Sequence, residues 1–90
     1  MNRIRMHHVG IVFPNMERVE TFLKTFNFEI ERSEYVEAYH ADCLFTKHGP
    51  DETALEFIVP TEGVLTKYND GKGGIHHIAL EVEDVEAVRQ

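Results

Sequence analysis

His7-His8-Val9-Gly10-Ile11-Val12-Phe13 returns as His76-His77-Ile78-Ala79-Leu80-Glu81-Val82, 69 residues further along the chain. The match continues through Asn15 and Asp84, Met16 and Val85, Glu17 and Glu86, and Val19 and Val88. Four of the six histidines lie in these two copies. An internal repeat of this kind implies two similar modules, each placing a histidine on an equivalent strand. Gln90 corresponds only to Thr21 of the first copy, so the second module is expected to be incomplete.

Between the copies the chain reads as strand, helix, then three strands. Ile4 to Phe13 is rich in β-branched and apolar residues and stops at Pro14, which predicts a strand. Asn15 is a good N-cap, and Met16, Val19, Phe22, Leu23 and Phe26 recur at helical spacing through Asn27. Alternation from Phe28 to Arg32, continuing toward Tyr35, predicts a second strand, and Asp42 to Lys47 a third. His48-Gly49-Pro50-Asp51-Glu52 is turn chemistry ahead of a fourth strand, Thr53 to Val59, that ends at Pro60. One or two helical turns within Gly63 to Asn69 lead through Asp70-Gly71-Lys72-Gly73-Gly74 into a fifth strand, Ile75 to Val82. Asp84 would then cap a second helix. The fold class is therefore α+β. A first βαβββ module occupies residues 1–62, a linker with a short helix residues 63–74, and the start of a second module residues 75–90.

Successive strand side chains point to opposite faces of a sheet. That rule sends His7, Val9, Ile11 and Phe13 toward the helix, and His8, Gly10 and Val12 away from it. In the fifth strand His76, Ile78, Leu80 and Val82 share the helix side, opposite His77, Ala79 and Glu81. In the fourth, Leu55, Phe57 and Val59 make the apolar face and leave Glu56 with Ala54 and Ile58 on the other. His8, Glu56 and His77 thus share the face that no helix covers, with Gly10 and Ala79 expected to leave open space beside the rings. Two imidazoles and a carboxylate suit zinc, nickel, cobalt, manganese or iron. The plain alternative is three ordinary polar residues on a solvated face. His7 and His76 are expected to pack against helices, and His40 and His48 to lie at the surface near turns.

Composition narrows the classes of partner. A formal net charge of −7 disfavours nucleic acid and anionic membrane surfaces. No run is long enough to span a membrane, and Met1-Asn2-Arg3-Ile4-Arg5 leads into a strand instead of a signal-peptide core. The single cysteine, Cys43, reads as a small buried hydrophobe and fits a reducing cytoplasmic location. Lys67 and Lys72 could meet a phosphate or carboxylate, but exposed loop lysines are the commoner explanation. Asp70-Gly71-Lys72-Gly73-Gly74 lacks the spacing of a phosphate-binding loop.

Three segments together resemble the vicinal oxygen chelate superfamily: His8-Val9-Gly10-Ile11-Val12, Leu55-Glu56-Phe57-Ile58-Val59-Pro60, and the run from Gly73 through His76-His77 to Val82. Members include glyoxalase I, methylmalonyl-CoA epimerase, extradiol dioxygenases, and the fosfomycin and bleomycin resistance proteins. Leu65-Thr66-Lys67-Tyr68 followed by Gly71-Lys72-Gly73-Gly74 looks most like the epimerase branch. The resemblance covers essentially the whole chain and is less specific for the reaction than for the superfamily.

The resemblance implies two βαβββ modules curled around a divalent metal, with His8, Glu56 and His77 as ligands. A fourth ligand, usually a Glu, would lie one repeat length beyond Glu56 and so past Gln90. The chain is then either a fragment of a longer protein or is completed by a partner, and a homodimer is the expected assembly. The implied chemistry is enolate-forming proton transfer next to a carbonyl, on an acyl thioester as in the epimerase or on a hemithioacetal as in the glyoxalase I lyases. A non-catalytic small-molecule-binding module, as in the resistance proteins, is the third possibility. The epimerase uses a Glu between its second and third strands. In the comparable stretch, Glu37-Ala38-Tyr39-His40-Ala41-Asp42-Cys43, the nearest match is His40, which with Glu56 is a catalytic candidate. Glu37 would substitute only with a shifted loop.

Overall fold

The computed structural model describes residues 3–83. Five strands form one curled open sheet: β1 (Ile4–Val12), β2 (Ile30–Val36), β3 (Ala41–Thr46), β4 (Ala54–Pro60) and β5 (Gly74–Val82). One helix, α1 (Met16–Phe26), follows β1, and short 3-10 helices lie at Glu37–Tyr39 and Val64–Lys67. The βαβββ order and the α+β class stand as the sequence predicts. Glu37–Tyr39 is an addition, a tight turn inside the β2–β3 connection. The expected Asp84 cap and second helix lie outside the described residues. No helix among the described residues is long and apolar enough to cross a membrane.

Local chemistry sets the ends of α1. The Asn15 side chain accepts from the Arg18 backbone N–H at 2.9 Å, and Glu17 and Lys24 sit at the ends whose partial charges they complement. Asn27 closes the helix in the left-handed region at φ 57°, its N–H donating to the Leu23 carbonyl.

The strand order is β2-β3-β4-β1-β5. β1 runs parallel to β4 and antiparallel to β5, and the remaining neighbours are antiparallel. The repeat-equivalent strands therefore lie side by side. His8 faces Ala79 and Gly10 faces His77, a pairing close to two-fold symmetric in the repeat.

Each face of the sheet carries its own core. On the helix side Val19, Leu44, Phe57 and Val59 are buried, flanked by Ile11, Phe13, Phe22, Leu23, Ile30 and Leu55. Phe22 knits this side together, with ring centroids 5.6 Å from Phe13 and 5.5 Å from Phe57. On the concave side Val12, Ala41, Cys43 and Ile58 are buried beneath Val36, Phe45, Leu65 and Tyr68. The second 3-10 helix thus plugs one end of the concave face. Gly73 permits this, since at φ 76° a Cβ there would stand 2.2 Å from the Val12 carbonyl oxygen. Farther along, Ile4, Met6, Ile78 and Leu80 lie side by side on β1 and β5 and remain exposed.

The Phe57 ring is fully buried between α1 and the sheet. Phe57→Ala should cost about 3–5 kcal/mol, a large part of a small domain's stability. Urea unfolding followed by circular dichroism checks it.

Candidate metal centre

The sheet register lays a row of side chains across the concave face. Arg32 pairs with Phe45, Phe45 with Glu56, Glu56 with Gly10 and Gly10 with His77. His8 stands beside the row, and His8, Glu56 and His77 are the three residues that come together. His8 Nε2 is 3.4 Å from Glu56 Oε1 and 3.2 Å from His77 Nε2, and His77 Nε2 is 3.2 Å from the same carboxylate oxygen. Three donors at the corners of one coordination face, with metal bonds of about 2.0–2.1 Å, are separated by roughly 3–3.5 Å. The triangle fits that face.

The electrostatics agree. Glu56 is only 5% exposed, and a buried carboxylate needs a positive or hydrogen-bonding partner. The Cys43 thiol lies close enough for this carboxylate to raise its pKa. The His8 ring does not supply the charge. Burial pushes His8 below its ordinary pKa, Glu56 opposes that shift, and His7, His77 and Arg32 reinforce it. At neutral pH the His8–Glu56 contact is therefore a neutral ring beside a carboxylate, and a divalent cation would complete it. Burial, and after it the same carboxylate, push the Cys43 thiol up to about 12, so it is a buried thiol and not a nucleophile.

Three expectations about side-chain placement need correction. The strand rule puts His7 and His76 on the helix side. Instead the β1–β5 register slips between Met6 and His8 and again opposite Gly10 and Ile11. An extra residue in a ladder changes the facing of its side chain. His7 is exposed, with its ring edge on His8. His76 turns to the concave side, against Tyr68 at 5.3 Å and Tyr39 at 6.3 Å between centroids. The third concerns Gly10, where no open space remains: the His77 ring lies over it, and a Cβ there would meet that ring at 2.3 Å.

His40 is not brought to the triad. It ends the first 3-10 helix at φ 50° and sits by the far end of β4, where its carbonyl accepts from Thr61. Its Nδ1 lies 3.4 Å from Glu62 Oε1. His48, exposed as expected, contacts the Thr46 carbonyl at 3.0 Å. The sequence gives no sign of the Cys43–Glu56 proximity or of the Arg32–Phe45 stack, at 4.2 Å. Strand alternation alone puts Cys43 and Glu56 on the same face once the β3–β4 register is known.

Residues 7–90 match the model of the glyoxalase/bleomycin resistance protein/dioxygenase superfamily. The chain belongs to that superfamily. No curated protein matches it. Among solved structures, a Streptomyces coelicolor methylmalonyl-CoA epimerase variant in complex with 2-nitronate-propionyl-CoA is similar at 28% identity and TM-score 0.74, covering 94% of this chain and 66% of that one. A methylmalonyl-CoA epimerase in complex with methylmalonyl-CoA and NH4+ is similar at 28% identity and TM-score 0.74, covering 93% and 64%. A hypothetical protein from Bacillus halodurans C-125 shares the fold at 22% identity and TM-score 0.74, covering 94% and 63%. The chain thus spans 63–66% of the length of these structures. A divalent metal is the general cofactor of the superfamily, and His8, Glu56 and His77 form a possible site for it.

Two outcomes test the centre. Gly10→Ala should displace the His77 ring and weaken zinc binding on the order of tenfold or more, measured by competition with a chromogenic chelator. Native Cys43 should resist iodoacetamide at pH 8 and react once the chain is unfolded in urea, read by mass spectrometry.

Proposed function

We propose that this chain carries the metal-binding half-site of a vicinal oxygen chelate enzyme, acting by enolate-forming proton transfer next to a carbonyl. The observation that carries the reading is the triangle of His8, Glu56 and His77, three lone-pair donors on the concave face of a superfamily sheet. The proposed substrate is an acyl thioester of the 2-carboxyacyl-CoA type, supported by the likeness to epimerases solved with such ligands. A divalent metal bound here would supply Lewis acidity toward neighbouring substrate oxygens. The His8 ring holds a lone pair ready because burial lowers its pKa. Glu56, nearly buried beside Cys43, is ligand and nearest carboxylate for accepting a proton.

His40 enters as a second acid–base group on the family resemblance alone. The preceding residue, Tyr39, lies with its ring 6.3 Å between centroids from His76, the neighbour of His77. The exposed row of Ile4, Met6, Ile78 and Leu80 supports completion of the sheet by further chain or by a second copy, and we propose a homodimer. A cytoplasmic setting goes with the buried reduced thiol.

Elemental analysis of the purified protein should find near-stoichiometric zinc, nickel, cobalt, manganese or iron, lost in a His8→Ala, His77→Ala double variant. The metal-loaded protein should exchange the α-proton of a 2-methylmalonyl thioester in deuterated water, followed by NMR. Turnover of methylglyoxal with a thiol would instead assign the glyoxalase-type lyase reaction, and thioester binding without exchange a sequestering module. His40→Ala should lower exchange without lowering metal content.

A further inference from the structure

Each metal-facing histidine touches the histidine that precedes it. His7 Nδ1 lies 2.8 Å from His8 Nδ1, and His76 Nδ1 lies 2.8 Å from His77 Nδ1. The rings meet edge to face in both pairs, with centroids 5.1 Å apart and planes at 76° and 85°. Consecutive residues of a regular strand cannot do this, because they project from opposite faces. They meet here because the β1–β5 ladder breaks at each pair, between Met6 and His8 on one strand and between Ile75 and His77 on the other. Two breaks at repeat-equivalent dipeptides, giving the same contact at the same distance, form one device built twice.

We propose that His7 and His76 are positioning residues that fix the ring orientation and tautomer of His8 and His77 for metal binding. The proposal rests on the metal reading of the triad. A neutral imidazole carries one N–H and one lone pair. In an Nδ1···Nδ1 contact one ring must donate and the other accept. When His8 and His77 offer Nε2 lone pairs to a cation, their protons sit on Nδ1. His7 and His76 are then the acceptors and keep their own protons on Nε2.

The alternative state shows what the outer rings prevent. His8 Nε2 and His77 Nε2 lie within hydrogen-bonding reach of each other and of Glu56 Oε1. A proton on either Nε2 would close a self-satisfied cluster of rings and carboxylate, and a cation would have to break it. With His7 and His76 accepting at Nδ1, the triad presents only lone pairs. Metal-ligating histidines ordinarily give their second N–H to a carboxylate, carbonyl or water. Here the partner is the adjacent residue of the same strand, so the dipeptide carries ligand and orienter together.

The test compares zinc affinity, by chelator competition at one pH, in the full chain and in His7→Leu, His76→Leu, His7→Asn and His76→Asn. Each leucine variant should bind zinc about 10–100-fold more weakly. Each asparagine variant, whose side-chain carbonyl can accept from Nδ1–H, should recover most of that loss. Metal-free melting should stay within a few degrees of the parent, which separates the effect from failure to fold. Long-range nitrogen NMR of the zinc-loaded protein should find His7 and His76 protonated on Nε2. Leucine variants with unchanged affinity, asparagine variants no better than leucine, or an Nδ1 proton on the outer rings would each overturn the proposal. A parent protein that binds no zinc would instead overturn the metal reading beneath it.

Discussion

Everything at the concave face depends on the antiparallel pairing of β1 with β5. These strands carry the two copies of the repeat, and their register sets His8 opposite Ala79 and Gly10 opposite His77. Each histidine therefore faces the small residue of the other copy. Gly10 can carry no side chain because the His77 ring occupies that volume. The parallel pairing of β1 with β4 then brings Glu56 alongside Gly10 and into the same cluster. One hydrogen-bonded ladder fixes the distance between the imidazoles, and its neighbour supplies the carboxylate.

The two faces of the sheet divide the physical tasks. On the helix side, α1 and the Phe22-centred aromatic cluster bury the hydrophobic area that stabilises the module. On the concave side Cys43, Ile58 and Val12 form a smaller apolar floor. That floor lowers the local dielectric around Glu56 and His8, which is why His8 stays neutral and the thiol stays protonated. Apolar packing thus tunes the donors although no apolar residue belongs to the donor set.

Much of this was legible in the sequence, for reasons that differ by residue. The helix was readable because Asn15 caps it and Met16, Val19, Phe22, Leu23 and Phe26 keep one period. The triad was readable because alternation on three strands sends His8, Glu56 and His77 to one face, and the repeat made the two histidines equivalent. The placements of His7 and His76 were not readable. A bulge inserts one residue into a ladder and leaves no compositional mark, yet it reverses the facing of a side chain. The ring lying over Gly10 was equally hidden, because a small residue in sequence signals room without saying what fills it. The resemblance suggested a role for His40. Its left-handed backbone and the Glu62 contact hold it at the far end of β4.

The separations between the donors have a consequence for folding order. His8 and His77 are 69 residues apart in sequence, and Glu56 arrives from a third strand. No two donors meet through a local contact, so each must wait for loop closure and strand pairing across most of the chain. The centre therefore needs both the parallel and the antiparallel ladders of β1 to be closed. A chain in which those ladders are open lacks the three-donor cluster. Metal capture becomes a reporter of complete folding, and its binding free energy is drawn on only by the finished sheet.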